Sequence, residues 1–220
     1  MAANAPRIYG GTPGSDRVEE RRARLIDAAM ELIVSGGWRQ ITIYRLCRQA
    51  KLNKRYFYES FSTLDETAEA VVDFVMEGLT EAAFPVAMEG VAAGDSTEEI
   101  AQRAVGALVT YTTEDPRRAR VLFAEVSATP AAERHRKTLM RGLADQLARY
   151  GREFHKAPGR ADPRSRVTAS FLIGGTAETI LAWLDDELEI SRAELISDIA
   201  ALWIDAGDGA AARATASRRA

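Results

Sequence analysis

Apolar residues recur along most of this chain at spacings of three and four. In the first clear stretch they are Leu25, Ala28, Ala29, Leu32 and Ile33, which make one face of a helix. That stripe stops at Gly36-Gly37, where glycine is free to take the left-handed conformation that closes a helix. Helix starts are marked by capping chemistry. Asp115-Pro116, Thr129-Pro130 and Asp162-Pro163 each set a side-chain oxygen before a proline whose missing N–H costs nothing at a first helical position. Ser96 with Glu99, Ser191 with Glu194, and Thr63 with Glu66 fit the reciprocal capping box. These signals predict about nine helices, over residues 16–35, 42–50, 53–60, 63–82, 97–113, 116–127, 130–154, 163–188 and 192–206. No alternating run bounded by hairpin turns is present, and no internal repeat. The expected fold class is all-α, with a flexible arm over 1–15, a first domain over 16–62, a larger helical domain over 63–206 and a frayed tail over 207–220.

Composition narrows the function classes. The chain has 220 residues, 46% apolar and 28% charged, ordinary for a soluble globular protein with a sizeable core. One cysteine, Cys47, excludes an intrachain disulfide or a four-cysteine zinc site, and reads as a small packing residue. His135 and His155 are too far apart for a two-histidine helical metal pair. His135 and Glu133, two residues apart on a helix, point away from each other. No phosphate-cradling glycine loop or nucleophile elbow is present. An enzyme, a metal and a cofactor are therefore not expected. No apolar run follows a charged start, so the expected compartment is the cytoplasm.

Charge changes the picture more than composition does. The formal net charge is −3, yet residues 1–60 hold eleven Arg or Lys against six Asp or Glu, a net of +5, leaving −8 for the rest. A basic first quarter on an acidic body is the asymmetry of a protein that meets a polyanion at one end. A solvated mixed-charge surface gives the same count. The pattern within that quarter is more specific. Two short helical segments, 42–50 and 53–60, are joined by Lys51-Leu52, and the second opens with polar and basic residues. That is a helix-turn-helix pattern. Asn53 is placed to cap the second helix, and Lys54, Arg55 and Tyr56 on its first turn are candidates for base edges. Thr42 and Tyr44 open the preceding helix as candidates for phosphates, with Arg45 and Arg48 adding charge. The lesser alternative for Tyr56 and Tyr58 is a core aromatic. Phe57 and Phe61 read as core.

The run from Ile41 to Phe61 resembles the DNA-binding signature of the tetracycline-repressor (TetR) family. The residues that carry the likeness are Thr42, Ile43, Leu46, Cys47, Ala50, Leu52, Asn53, Phe57, Tyr58 and Phe61. Lys51 stands where that family usually has glycine, and Leu64 where it often has lysine. The resemblance implies that Tyr58 reaches a phosphate. It also implies that the protein binds a palindromic operator in double-stranded DNA as a homodimer, as a repressor released by a small-molecule effector.

The acidic body is read through the same likeness. Between Arg166 and Asp185 the one charged residue is Glu178, so the helix there must be covered on most faces. Thr168, Ser170, Gly174, Gly175, Thr176, Glu178 and Thr179 interrupt it, so a membrane span is not expected. The resemblance implies a four-helix dimer contact through the last two helices, with Phe171, Ile180, Trp183, Leu195, Ile199 and Leu202 as candidates. Burial of the same helix within one protomer is the rival reading. The resemblance places a ligand pocket among the fourth to eighth helices, with Phe74, Met76, Phe84, Met88, Tyr111, Phe123, Met140, Thr176 and Glu178 as candidates. The alternative function is a helical interaction or small-molecule-binding protein whose helix-turn-helix no longer binds DNA.

Overall fold

The computed structural model describes residues 14–123, 130–154 and 163–216. Among these there is no strand. The helices are α1 (Gly14–Gly36), α2 (Ile43–Gln49), α3 (Lys54–Ser60), α4 (Leu64–Ala93), α5 (Thr97–Glu114), α6 (Pro116–Phe123), α7 (Pro130–Phe154), α8 (Pro163–Leu184) and α9 (Arg192–Ala216), with a short 3-10 turn at Trp38–Gln40. The all-α expectation holds. Thr129, His155 and Asp162, the end expected for the sixth helix at 127, most of the arm and residues 217–220 lie outside the described residues.

Most starts follow the capping chemistry. The Ser96 hydroxyl accepts from the Glu99 N–H at 3.2 Å, and the Glu99 carboxylate accepts from the Ser96 N–H at 2.9 Å. Ser191 and Glu194 repeat the exchange at 3.2 and 2.8 Å. Asp115 accepts from the Arg117 N–H at 3.1 Å. At α4 the box is shifted by one residue. Thr63 accepts from the Glu66 N–H, but the Glu66 carboxylate takes the N–H of Ser62.

Helix ends depart from expectation at three places. α4 runs to Ala93 rather than 82 and carries Pro85, which forfeits one backbone bond on an exposed position without ending the helix. It stops at Gly94, whose φ of 77° lets Asp95 N–H reach back to Gly90 O at 3.0 Å. α8 stops at Leu184 rather than 188, because Asp186 takes a left-handed φ of 58°. Glu187 N–H then bonds Ala182 O, and Asp186 N–H bonds Trp183 O. α9 continues through Ala216, so most of the expected tail is helix. The alanines from Ala210 onward are the strongest helix formers.

The chain forms two compact units. Among the described residues, one holds 14–74 and 130–134, and the other holds 75–123, 135–154 and 163–216. The boundary thus falls inside α4 rather than at 62. In the first unit Leu25 and Met30 of α1, Leu46 of α2, Phe57 of α3 and Phe61 are fully buried or nearly so. In the second, Val105 and Val109 of α5, Ala119 of α6, Ile180 of α8 and Leu195, Ile199 and Ala200 of α9 share one core. Two indole bonds tie α8 to its neighbours: Trp203 Nε1 donates to Thr176 Oγ1, and Trp183 Nε1 donates to Ile190 O, each at 2.8 Å. α4 and α5 approach closely at Gly78, where a Cβ would lie 2.2 Å from the Tyr111 hydroxyl.

Candidate nucleic-acid interface

The turn between α2 and α3 is built by backbone bonds. Lys51 takes a left-handed φ of 54°. Its N–H donates to Arg48 O at 3.2 Å, and Leu52 N–H donates to Cys47 O at 2.8 Å, the paired closure of a Schellman motif. Lysine therefore occupies the conformation that glycine would take most cheaply. Arg24 of α1 steadies this turn, donating to Ala50 O at 2.6 Å. Cys47 is buried beneath it, and burial pushes its thiol up from the ordinary value, so it packs as a small apolar side chain.

The two short helices begin on side-chain caps. Thr42 Oγ1 accepts from Arg45 N–H, and Asn53 Oδ1 accepts from Tyr56 N–H, both at 3.2 Å. The buried Leu46 and Phe57 hold the inner faces. On the outer face, Lys54 and Arg55 are exposed, and Tyr44 and Tyr58 expose 62% and 60% of their surface. Tyr58 rests edge-on against Phe57, with ring centroids 5.3 Å apart, so the ring is seated while its far end faces solvent. Two candidates are placed differently. Arg45 turns back and donates to Gln40 O at 2.8 Å. Tyr56 is half-buried under the Arg21 guanidinium, 4.4 Å from the ring centroid. The sequence reading passed over Arg21, Arg24 and Glu59. Arg55 and Glu59 stand at i, i+4 and were legible as a pair; the contacts from α1 carry no sequence signal.

No protein-family model and no curated protein matches the sequence. Solved structures do match. A TetR family transcription regulator from Marinobacter aquaeolei VT8 superposes with a TM-score of 0.63 at 16% identity, over 87% of this chain and 97% of that one. The fatty acid degradation regulator FadR from Bacillus halodurans gives 0.67 at 14% identity, over 83% and 94%. FadR from Bacillus subtilis, in complex with stearoyl-CoA, gives 0.65 at 17% identity, over 84% and 98%. This chain has the fold of the TetR regulators. At such identities the likeness is one of backbone architecture.

Within this TetR fold the ligand candidates fall into separate packings. Thr176 is buried, but its hydroxyl already accepts from Trp203. Phe74, Met88 and Glu178 are exposed, so they wall no enclosed space in the protomer. Met76 is buried in α4. Phe84 stacks against Tyr150 at 5.2 Å, and Phe123 packs on the core shared by α5, α6, α8 and α9. Met140 is half-buried on α7. Tyr111 is half-buried with its ring under the Arg118 guanidinium at 4.3 Å, and burial pushes its phenol up.

The dimer candidates of the TetR fold also divide. Ile180, Leu195 and Ile199 lie inside the protomer core. A side chain with no exposed surface has none to give to a partner, so these three hold α8, α9 and α5 together instead. Trp183 is half-buried and spends its N–H on Ile190 O. Phe171 and Leu202 are 74% and 62% exposed, as is Val167, one turn before Phe171, at 70%. By length and composition the stretch Ser165–Leu184 is apolar enough to cross a membrane, despite its interrupting polar residues, and 22% of its most apolar window is buried in the protomer.

Proposed function

We propose that this chain is a ligand-responsive, DNA-binding transcription regulator of the TetR family, a repressor that binds an inverted-repeat operator as a homodimer. The observation that carries the reading is the division of α3 into a buried Phe57 face and an exposed Lys54, Arg55 and Tyr58 face behind an Asn53 cap. A helix anchored in this way can enter a major groove N-terminus first without disturbing its own core. Lys54 and Arg55 address base edges, while Tyr44, Tyr58 and the capping Thr42 address phosphates. Arg45, held to Gln40, contributes charge and steadies the start of α2.

A dimer gives the exposed apolar line of Val167 and Phe171 on α8, with Leu202 on α9, a cover of matching chemistry. Two copies also present two recognition helices to groove segments about 34 Å apart. The effector we assign is a small molecule with an apolar part, bound in the second unit. The stearoyl-CoA held by the Bacillus subtilis neighbour supports an effector of that kind. Binding there shifts α4, and operator affinity falls. This requires differential affinity for the two arrangements. The protein works in the cytoplasm, without enzymatic activity or a membrane.

In vitro selection from random duplex DNA tests the reading. We expect an enriched inverted repeat whose affinity falls steeply with salt. A chain that enriches nothing at low salt, even after unfolding and refolding to strip bound ligand, is not a sequence-specific regulator.

A further inference from the structure

Glu59 sits in the last turn of α3 and Arg55 in its first. Both are on the wrong end for the helix dipole, which favours acids at the start and bases at the end. Their order, base before acid at i, i+4, is also the weaker orientation for a helical pair. Helix stability therefore does not account for the pairing. Its geometry has another consequence. Glu59 Oε1 accepts from Arg55 Nε at 3.0 Å. The Arg55 side chain is otherwise 84% exposed, so this bond is what holds it in place. With Nε engaged, the two terminal nitrogens keep all four of their hydrogens. These form the end-on fork that meets the O6 and N7 acceptors of guanine.

Glu59 is itself held from α1. Its other oxygen, Oε2, lies 3.3 Å from Arg21 Nη2, and the Arg21 guanidinium carbon lies over the Tyr56 ring of α3, 4.4 Å from its centroid. Arg21 Nε is buried with no hydrogen-bond partner, so the ring face and the carboxylate fix that guanidinium. Arg21 also offsets the charge of a carboxylate that would otherwise stand uncompensated beside DNA phosphates. Arg21 to Glu59 to Arg55 is thus a chain of three held groups that ends on an exposed fork.

We propose that Glu59 is a positioning residue for base readout: it locks Arg55 in a guanine-reading pose, with Arg21 and the Tyr56 ring as its anchor on α1. The proposal rests on α3 being the base-reading helix. Freezing a flexible arginine before binding removes an ordering cost that would otherwise be met in the complex. The gain falls on the correct base, because the held fork cannot swing to another acceptor.

The test uses the full chain and two readouts. Nitrogen-15 spectra of arginine Nε–H groups, without DNA, should show a slowly exchanging Arg55 signal in the wild type that Glu59→Gln exposes to exchange. In parallel selections the wild type should fix a guanine in each half-site. Glu59→Gln should keep the inverted repeat but lose about two- to fivefold in preference for that guanine. Its affinity for random duplex should rise, since one negative charge near the phosphates is gone. Glu59→Asp, too short to reach Arg55, should lose the preference without that rise. Arg21→Gln should give a smaller loss of the same preference. Unchanged guanine preference in both Glu59→Gln and Glu59→Asp overturns the proposal, since glutamine keeps an oxygen that can still accept from Arg55 Nε. So does a uniform loss on all sequences, random duplex included, which is the mark of a merely structural role. A wild type that selects no sequence removes the DNA reading itself and this inference with it. That outcome is distinct from a selective wild type whose variants stay selective.

Discussion

α3 and α8 each bury one face and leave the other in solvent, yet their outer faces have opposite chemistry. α3 turns out Lys54, Arg55, Tyr58 and Glu59 over a buried Phe57. α8 turns out Val167, Phe171 and Gly174 over a buried Ile180. A charged outer face is content in water, so α3 needs no cover to be stable. An apolar outer face loses roughly 25 cal/mol for every square ångström left wet, so the exposed Val167 and Phe171 are a standing cost to the lone protomer. On the proposed function, the first is a surface for reversible meeting and the second one for lasting cover.

The largest blow to this contrast would fall on the inner face of α3. Phe57→Ala should cost about 3–5 kcal/mol, since a fully buried ring leaves a cavity. Denaturant melts of the first unit would report it, and a loss below about 1 kcal/mol would mean that the inner face is not what seats the helix. Next comes the outer face of α8. Phe171→Glu should leave the protomer's fold intact but weaken self-association by about 2 kcal/mol or more, as for a central interface aromatic. Sedimentation equilibrium should show dimer giving way to monomer, and an unchanged mass would remove α8 as the pairing face. A smaller effect belongs to the turn that aims α3. Lys51→Gly should raise stability by at most about 1 kcal/mol, because glycine relieves the left-handed strain but adds freedom to the unfolded chain. A lower melting temperature would show that the lysine side chain contributes more than its backbone costs.

The smallest effect is acid sensitivity in the second unit. Asp115 is held below the usual carboxylate range, chiefly by its hydrogen bond from Arg117. Glu99 and Glu194 are also held low, by bonds from Ser96 and Ser191. A group whose folded pKa is depressed adds stability that is complete above its ordinary value and lost as pH falls through its folded value. The decline should therefore begin near the ordinary carboxylate values of 3.8 and 4.5 and deepen below them. Asp115→Asn should flatten part of that decline in melts taken from neutral to acid pH, by about 1 kcal/mol for a half-buried bond.

Local features were legible because their causes are local. A capping oxygen and the N–H it accepts lie three residues apart, so Ser96, Ser191 and Asn53 could be read from neighbours alone. The left-handed site at Lys51 followed from the motif around it. Which face of a helix lies inward is a different question, because stripes on α8 and α9 match an internal core and a partner equally well. Ile180, Leu195 and Ile199 point into the protomer. Phe171 and Leu202 point out, and Val167 beside them was passed over. The ends of α4 and α9 were misjudged because proline and glycine weaken a helix without ending it where packing or alanine-rich sequence sustains it.

By itself, the sequence determined the all-α class, the helix order, most starts, the basic first quarter and the helix-turn-helix with its capped second helix. These depend on bonds and periodicities spanning a few residues. Tertiary structure alone decided which apolar residues are spent inside the protomer, that Arg24 grips the turn carbonyls, and that Arg21 reaches Glu59 and Tyr56. Those contacts join residues far apart in the chain, and nothing in their spacing encodes them. They exist because packing α1 against α2 and α3 brings the side chains within reach.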